Sequence, residues 1–452
     1  MSEWFNDAIF YHLYPLGALG APGRNDFSAA PVSRLPILDD WIPYLQELGI
    51  TALYVGPLFE SATHGYDTRD YFTVDRRLGT NDDLRQLVKK CHDAGIRVIL
   101  DAVFNHVGRD FFAFEDLRTR GWDSRYRSWF YTDFGRQSCY GDHFRYEGWN
   151  EHYNLVKLNL HESPVRQYLA DVVRYWITEF GIDGLRFDAA DVMEKDFFAE
   201  MHSVCKSVRS DFWLMGEVIH GDYRAWADSR CLDSVTNYEC YKGLWSSHND
   251  GNYFEIAYSM DRQYGSGGIY RGLHLYTFAD NHDVDRVAST LDCTAHLYPL
   301  YILLFTLPGV PSLYYGSEWG IEGKKLHGDD SPLRPTIDIA AATATAKESP
   351  LYRVINRLIA TRKQLEPLRK GTYTTLLTAS EQYCFSRQYE QTSAIVCVNA
   401  QMEPSQVRFP VPYDNGTVFT DTLNGDETFR VENGHLSVRV SSCWGRILTH
   451  NL

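Results

Sequence analysis

Four apolar runs in this sequence end in acids. RVILD closes on Asp101, GLRFD on Asp188, FWLMGE on Glu217, and LYTFADNHD on Asp280 and Asp283. A carboxylate placed directly after a buried strand is costly unless it is paired or used. Arg186 stands two residues before Asp188, on the same face of an extended strand, where its guanidinium would keep Asp188 ionised at neutral pH. Together with His106 and His282, these acids suit glycoside hydrolysis. That chemistry needs a carboxylate nucleophile below the sugar ring and a protonated carboxyl beside the leaving oxygen. Neighbouring strands lie about 4.8 Å apart. Asp188 and Glu217 on adjacent strands would therefore fit the roughly 5–5.5 Å separation of retaining enzymes rather than the longer gap of inverting ones. A single acid at a strand end more often caps the next helix than catalyses; the ordered set carries the reading.

The elements that must position these residues alternate. Strands are expected over Ala8–Pro15, Thr51–Pro57, Arg97–Phe104, Gly184–Asp188, Phe212–Val218, Asp233–Tyr238, His274–Ala279 and Val310–Tyr315. Helices are expected over Trp41–Leu48, Asn81–Ala94, Pro164–Phe180, Lys195–Val208 and Leu351–Leu365, several of them stopped by a glycine. Eight such units imply an α/β fold, a (β/α)8 TIM barrel, whose strand ends converge on one pocket. An open doubly wound sheet is the runner-up, weakened by the lack of a Gly-rich phosphate loop after the first strand. The gap from Phe104 to Gly184 is too long for one helix and two loops, so an aromatic-rich insertion is expected there. From Gly371 onward, short alternating strands with Asn415-Gly416 and Asn424-Gly425 turns read as an antiparallel β-sandwich. The expected domains are a barrel over 1–106 and 162–368, an inserted subdomain over 107–161, and the C-terminal sandwich over 369–452.

Composition narrows the function. With 44 Lys and Arg against 59 Asp and Glu, the net charge of −15 disfavours nucleic acid and anionic membranes as partners. The 14% aromatic content fits a ligand with flat apolar faces, such as a sugar, although composition alone favours a large aromatic core. Nine scattered cysteines without a CxxC pair suggest neither a disulfide framework nor a zinc ribbon. The uncharged run Ala295–Gly316 is broken by Pro299, Pro308, Gly309 and Pro311 and reads as a helix and then a strand, not a membrane span. The N-terminus MSEWFNDAIF shows no signal peptide, so a cytoplasmic location is expected. Oligomeric state is open, with a homodimer among the options.

The segments DAVFNH (Asp101–His106), GLRFD (Gly184–Asp188), MGEV (Met215–Val218) and FADNHD (Phe278–Asp283) resemble the four signature regions of the α-amylase superfamily, glycoside hydrolase family 13, in order and spacing. YVGPLFES (Tyr54–Ser61) and HGYDTRDYF (His64–Phe72) match it too. The resemblance implies that Asp188 is the nucleophile, Glu217 the general acid/base, and Asp283 the third carboxylate that favours a distorted, oxocarbenium-like ring. It implies that Arg186 orients the nucleophile, that His106 and His282 bind the sugar, that Tyr66 forms the platform beneath it, and that Asp101 supports the arginine. Glu217 would then need a raised pKa and Asp188 a lowered one. Asn105 matches a calcium ligand of some relatives, but Lys157 stands where they carry an Asp, so no calcium or other cofactor is expected. The resemblance is closest to the cyclomaltodextrinase, neopullulanase and maltogenic amylase group, although the first strand begins too early for that group's N-terminal domain, and Ile219 replaces its usual Trp. The implied activity is retaining hydrolysis of α-1,4 bonds in short linear or cyclic malto-oligosaccharides. A transglycosylase, glucanotransferase or isomerase on the same scaffold is the first alternative, and a non-catalytic carbohydrate-binding or scaffold protein the second. A metal-dependent barrel hydrolase using Asp101, His106, His282 and Asp283 has no compact ligand motif behind it.

Overall fold

The computed structural model describes residues 4–450. The first three residues of the N-terminal reading and the last two of the C-terminal domain lie outside the described residues. Eight parallel strands form the centre: β1 (Phe10–Leu13), β2 (Ala52–Val55), β3 (Arg97–Ala102), β4 (Gly184–Phe187), β5 (Trp213–Gly216), β6 (Ser234–Val235), β7 (Tyr276–Phe278) and β8 (Val310–Tyr314). Their spatial order is β6-β5-β4-β3-β2-β1-β8-β7. A parallel bridge between Thr236 and Tyr276 joins the ends, reinforced by Asn237 N donating to Tyr276 O at 2.8 Å. The open-sheet alternative is thereby excluded.

The strands read as continuous apolar runs because both of their faces are buried. Phe10, Tyr54, Ile99, Trp213, Met215, Tyr276 and Phe278 pack together inside the barrel. The alternate residues Tyr11, Leu53, Val98, Leu185 and Leu214 pack outward in the main core with the helices. The helix Asn81–Asp93 starts with a reciprocal cap in which Thr80 and Asp83 satisfy each other's backbone N–H groups. The single helix expected over Pro164–Phe180 is instead an α-helix, Ser163–Tyr175, that widens into a π-turn at Trp176–Phe180. Trp176 fixes that turn: its ring stacks on Phe59 at 4.1 Å, and its indole N–H donates to Tyr71 O at 2.7 Å.

After β3 the chain leaves the barrel. His106–Gly108 pairs antiparallel with His152–Lys157, which pairs with Gly148–Trp149; Thr132–Asp133 pairs with Arg145–Tyr146. Phe111, Phe114, Phe130, Phe144 and Tyr146 are buried here, while Trp122 and Tyr140 are exposed. The buried rings of this segment are continuous with the main core of the barrel.

The C-terminal part has a six-stranded antiparallel sheet faced by a two-stranded one, Ser405–Pro410 with His435–Val440. Two of its strands, Thr428–Arg430 and Trp444–His450, escape the sequence pattern. The first is short and polar. The second carries Arg446 into the interior, where Asp421 pairs with it at 2.8 Å. Arg387 of this sheet donates to Thr306 O at 2.8 Å, and Arg362 to Phe305 O at 2.9 Å, so the two cations cap the buried C-terminus of the helix Leu297–Thr306. Among the described residues, no helix is long and apolar enough to cross a membrane.

Candidate active site

The C-terminal strand ends deliver their acids to one place. Arg186 and Asp101 lie side by side in the β3–β4 register, and Phe187 of β4 is paired with Gly216 of β5, so Asp188 and Glu217 leave adjacent strands together. Arg186, 3% exposed, connects them. Its Nη1 lies 2.8 Å from Asp188 Oδ1 and 2.9 Å from Asp101 Oδ1, and its Nη2 lies 2.8 Å from Glu217 Oε2. One planar fork therefore holds three carboxylates, which a lysine's single ammonium would not match. Glu217 Oε2 also accepts from the backbone N–H of Ala189 at 3.0 Å, and Tyr238 OH lies 3.4 Å from its Oε1. Ala189 has φ of +48°, a left-handed conformation that costs a non-glycine residue energy and here aims an N–H at the acid.

The remaining expected residues surround this pair. His106 Nε2 is 3.9 Å from Asp188 Oδ2 and has no protein hydrogen-bond partner. His282 Nε2 is 3.0 Å from Asp283 Oδ2 and contacts the Tyr66 hydroxyl. The Tyr66 ring stacks parallel to His282 with centroids 5.5 Å apart. Tyr66 OH donates to Asp101 Oδ2 at 3.2 Å, and Tyr54 OH donates to the same oxygen at 2.9 Å. Asp101 is thus spent on Arg186 and two tyrosines; its side chain is fully enclosed and supports rather than touches a ligand. Asp280, another strand-end acid, is also structural: it accepts from Ser317 Oγ at 2.8 Å and from Val287 N at 3.0 Å.

The electrostatics correct one expectation. Asp188 is not held low by Arg186. Burial, followed by the nearby Glu217, Asp101 and Asp283, pushes its carboxyl well above the usual range, and Arg186 offsets only part of this. Asp283 behaves oppositely. Burial acts to raise it, but His282, Arg334 and Arg186 together hold it well below the usual carboxylate range.

Sequence reasoning missed several residues that converge here. Arg334, from the loop after β8, binds Asp283 Oδ1 at 2.9 Å and the His282 carbonyl at 2.9 Å. Asn281 donates to the Tyr238 hydroxyl at 3.2 Å, which in turn faces Glu217. His12 of β1 lies buried beneath His282 and Tyr54. Arg334 and His12 lie outside the strand-then-acid runs, and Asn281, though inside FADNHD, carries no charge; the polar His12 inside an otherwise apolar β1 was the clearest available signal.

Beside the acids, a cleft of about 1160 Å³ separates the inserted segment from the loops after β4 and β5. Tyr131, Trp149, Tyr153 and Lys157 line one side, and Asp191, Val192 and Ile219 the other. The Asp188 and Glu217 side chains are 10% and 11% exposed and that of Asp283 is 35% exposed, so none of the three acids is fully sealed from solvent. Such an arrangement can protonate a leaving oxygen, offer a carboxylate to an electrophilic carbon, and bind hydroxyls through imidazole and carboxylate.

Comparison with known proteins agrees in kind. Residues 37–334 match the Alpha-amylase family, described as alpha amylase, catalytic domain. A cyclomaltodextrinase from a Bacillus species is 31% identical over 415 residues, spanning 88% of this chain and 73% of its own length. Neopullulanase 2 of Thermoactinomyces vulgaris is 30% identical over 470 residues, spanning 99% and 78%. Among solved structures, the ligand-free cyclic alpha-maltosyl-(1→6)-maltose hydrolase of Arthrobacter globiformis superposes with a TM-score of 0.82 at 25% identity, covering 99% of this chain and 100% of that one.

Proposed function

The chain belongs to the alpha-amylase family of glycoside hydrolases, and from that premise we propose that it cleaves α-glucosidic bonds of short cyclic or linear malto-oligosaccharides with retention of configuration. The observation that carries this reading is the single Arg186 fork binding Asp188 and Glu217, with His106 and the His282–Asp283 pair at the same pocket.

In this mechanism Glu217 protonates the glycosidic oxygen while Asp188 attacks the anomeric carbon, giving a covalent glycosyl-enzyme. Glu217, now a base, then takes a proton from the water that releases the sugar. His106, whose Nε2 has no protein partner, is free to bind a hydroxyl. Asp283, held ionised, accepts hydroxyl protons and favours the positively charged transition state. Burial pushes the Asp188 carboxyl up, and attack requires its ionised form, which the Arg186 fork favours.

The similarity to a cyclomaltodextrinase supports cyclic as well as linear substrates. End-to-end correspondence with a hydrolase of a cyclic tetrasaccharide containing (1→6) links favours a second reading, in which small rings with mixed linkages are the preferred substrates. Transfer to a sugar acceptor instead of water is the competing outcome of the same intermediate.

Calcium has no part in this proposal. The Asn105 side-chain Nδ2 lies 3.1 Å from His106 Nδ1, and the Asn105 backbone carbonyl accepts from Leu158 N at 3.0 Å. Lys157, paired with His106 across the inserted sheet, lines the same cleft with its Nζ 5.5 Å from the Tyr131 ring, and its charge opposes a cation there. A reducing, intracellular setting is also proposed, because all nine cysteines are free thiols.

The test is a product profile on linear, cyclic and branched maltodextrins, with the first-released anomer read by proton NMR. Release of the α-anomer from the cyclic or linear substrates is expected. Release of the β-anomer, or no cleavage of any of them, overturns the proposal.

A further inference from the structure

His12 and His282 each carry a ring nitrogen that is buried and has no hydrogen-bond partner: Nε2 of His12 and Nδ1 of His282. The two rings are neighbours, edge to face, with centroids 5.1 Å apart and planes at 84°. Left unmet, each buried nitrogen would lose its hydration with nothing to replace it. The His χ2 torsion has a broad well, so a modest ring rotation, or one bridging water, closes the gap.

The opposite side of His282 fixes what this link must be. Its Nε2 faces two acceptors. One is Asp283 Oδ2 at 3.0 Å. The other is the Tyr66 oxygen, whose own proton is committed to Asp101. Nε2 must therefore carry a proton, so with a single ring proton Nδ1 is an acceptor in need of a donor. His12 is 3% exposed and is held in place by stacking on Tyr54 at 4.2 Å and by Tyr314 at 4.9 Å. Burial holds its ring well below the usual histidine range, which favours the neutral form.

We propose that His12 is a positioning residue: its Nε2–H donates to His282 Nδ1, which locks His282 in the Nε2–H tautomer that serves Asp283 and the sugar. The role in turnover rests on the glycosidase reading above; the hydrogen-bonded link does not. Nothing is transferred in this arrangement. The link only selects which nitrogen of His282 holds its proton.

The experiment uses the full chain labelled with ¹⁵N-histidine, with the His282 signal assigned by its loss in His282→Gln. The wild type should show the nitrogen pattern of a pure Nε2–H tautomer at His282. His12→Phe should convert it to a tautomer mixture and lower kcat about 10- to 100-fold, the range seen when the outer partner of a functional histidine is removed. His12→Gln, whose amide can donate, should restore both the pattern and most of kcat. An unchanged His282 pattern in His12→Phe overturns the proposal. So does equal impairment of the Gln and Phe variants, which would mean a packing role only. If the protein cleaves no glucoside, the functional reading fails, while the nitrogen pattern still decides the link.

Discussion

Arg334 Nη2 lies 2.9 Å from Asp283 Oδ1, so the loop after β8 holds the acid that follows β7. The same guanidinium sits 4.6 Å from the Tyr14 ring and 3.2 Å from Asp330, which leaves it little freedom. Arg334→Met removes one of the cations that keep Asp283 low. The Asp283 carboxyl should move up towards its ordinary range. The rate loss should be roughly 10- to 100-fold, at or below that for a donor aimed directly at the reacting atoms. A carbon NMR titration of the Asp283 carboxyl in the variant checks this; an unmoved carboxyl titration would refute the coupling.

Asp188→Asn should abolish turnover and yet raise thermal stability at neutral pH. The folded carboxyl is raised, so the native state binds a proton more tightly than the unfolded chain does. Stability from this group therefore falls as pH climbs from the unfolded value near about 3.9 towards the folded one. A neutral amide removes that penalty. The gain in Tm should be present at pH 7 and shrink as pH drops towards 4. Calorimetry across this range, showing a gain that is flat or grows on acidification, would contradict the assignment.

Glu318 offers an independent test away from the pocket. It is fully buried, with Tyr11 and Tyr44 donating to one carboxylate oxygen at 2.8 and 2.7 Å, while its other oxygen has no partner. Burial pushes its carboxyl up to about 7, despite both tyrosines. Stability should therefore decline as pH rises from about 4.5 to 7. Glu318→Gln keeps the accepting oxygen and should be more stable than wild type above pH 7, by on the order of 2–3 kcal/mol, with the two proteins converging near pH 4.5. Urea unfolding at several pH values measures this directly.

Chelation should leave the wild-type enzyme unaffected in both Tm and turnover, because Lys157 opposes a cation beside Asn105. Lys157→Asp replaces that charge with a ligand, and the variant should gain thermal stability on calcium addition and lose it with EDTA. A wild-type Tm that falls in EDTA would show that the lysine does not exclude the ion.

Much of this architecture was legible in the linear chain. Eight apolar runs named the barrel strands to within a few residues, because a strand buried on both faces must be apolar throughout. The acids at their ends stood out because a charge at that position is expensive unless it is used. What the chain could not disclose depended on partners far away in sequence. Arg446 inside a strand is tolerable only because Asp421 meets it, and the π-turn at Trp176 follows from stacking on Phe59. Arg334 and His12 join the site from loops and strands with no acid motif of their own. Burial, which no residue pattern discloses, pushes the Asp188 carboxyl up where Arg186 alone would lower it. Residue order pairs it with Arg186 alone, whereas the folded barrel makes Glu217 and Asp101 share that one cation, and Coulomb energy depends on all distances at once. Sequence by itself determined which chemical groups are present and on which strands; only the closed barrel decided how their charges are divided.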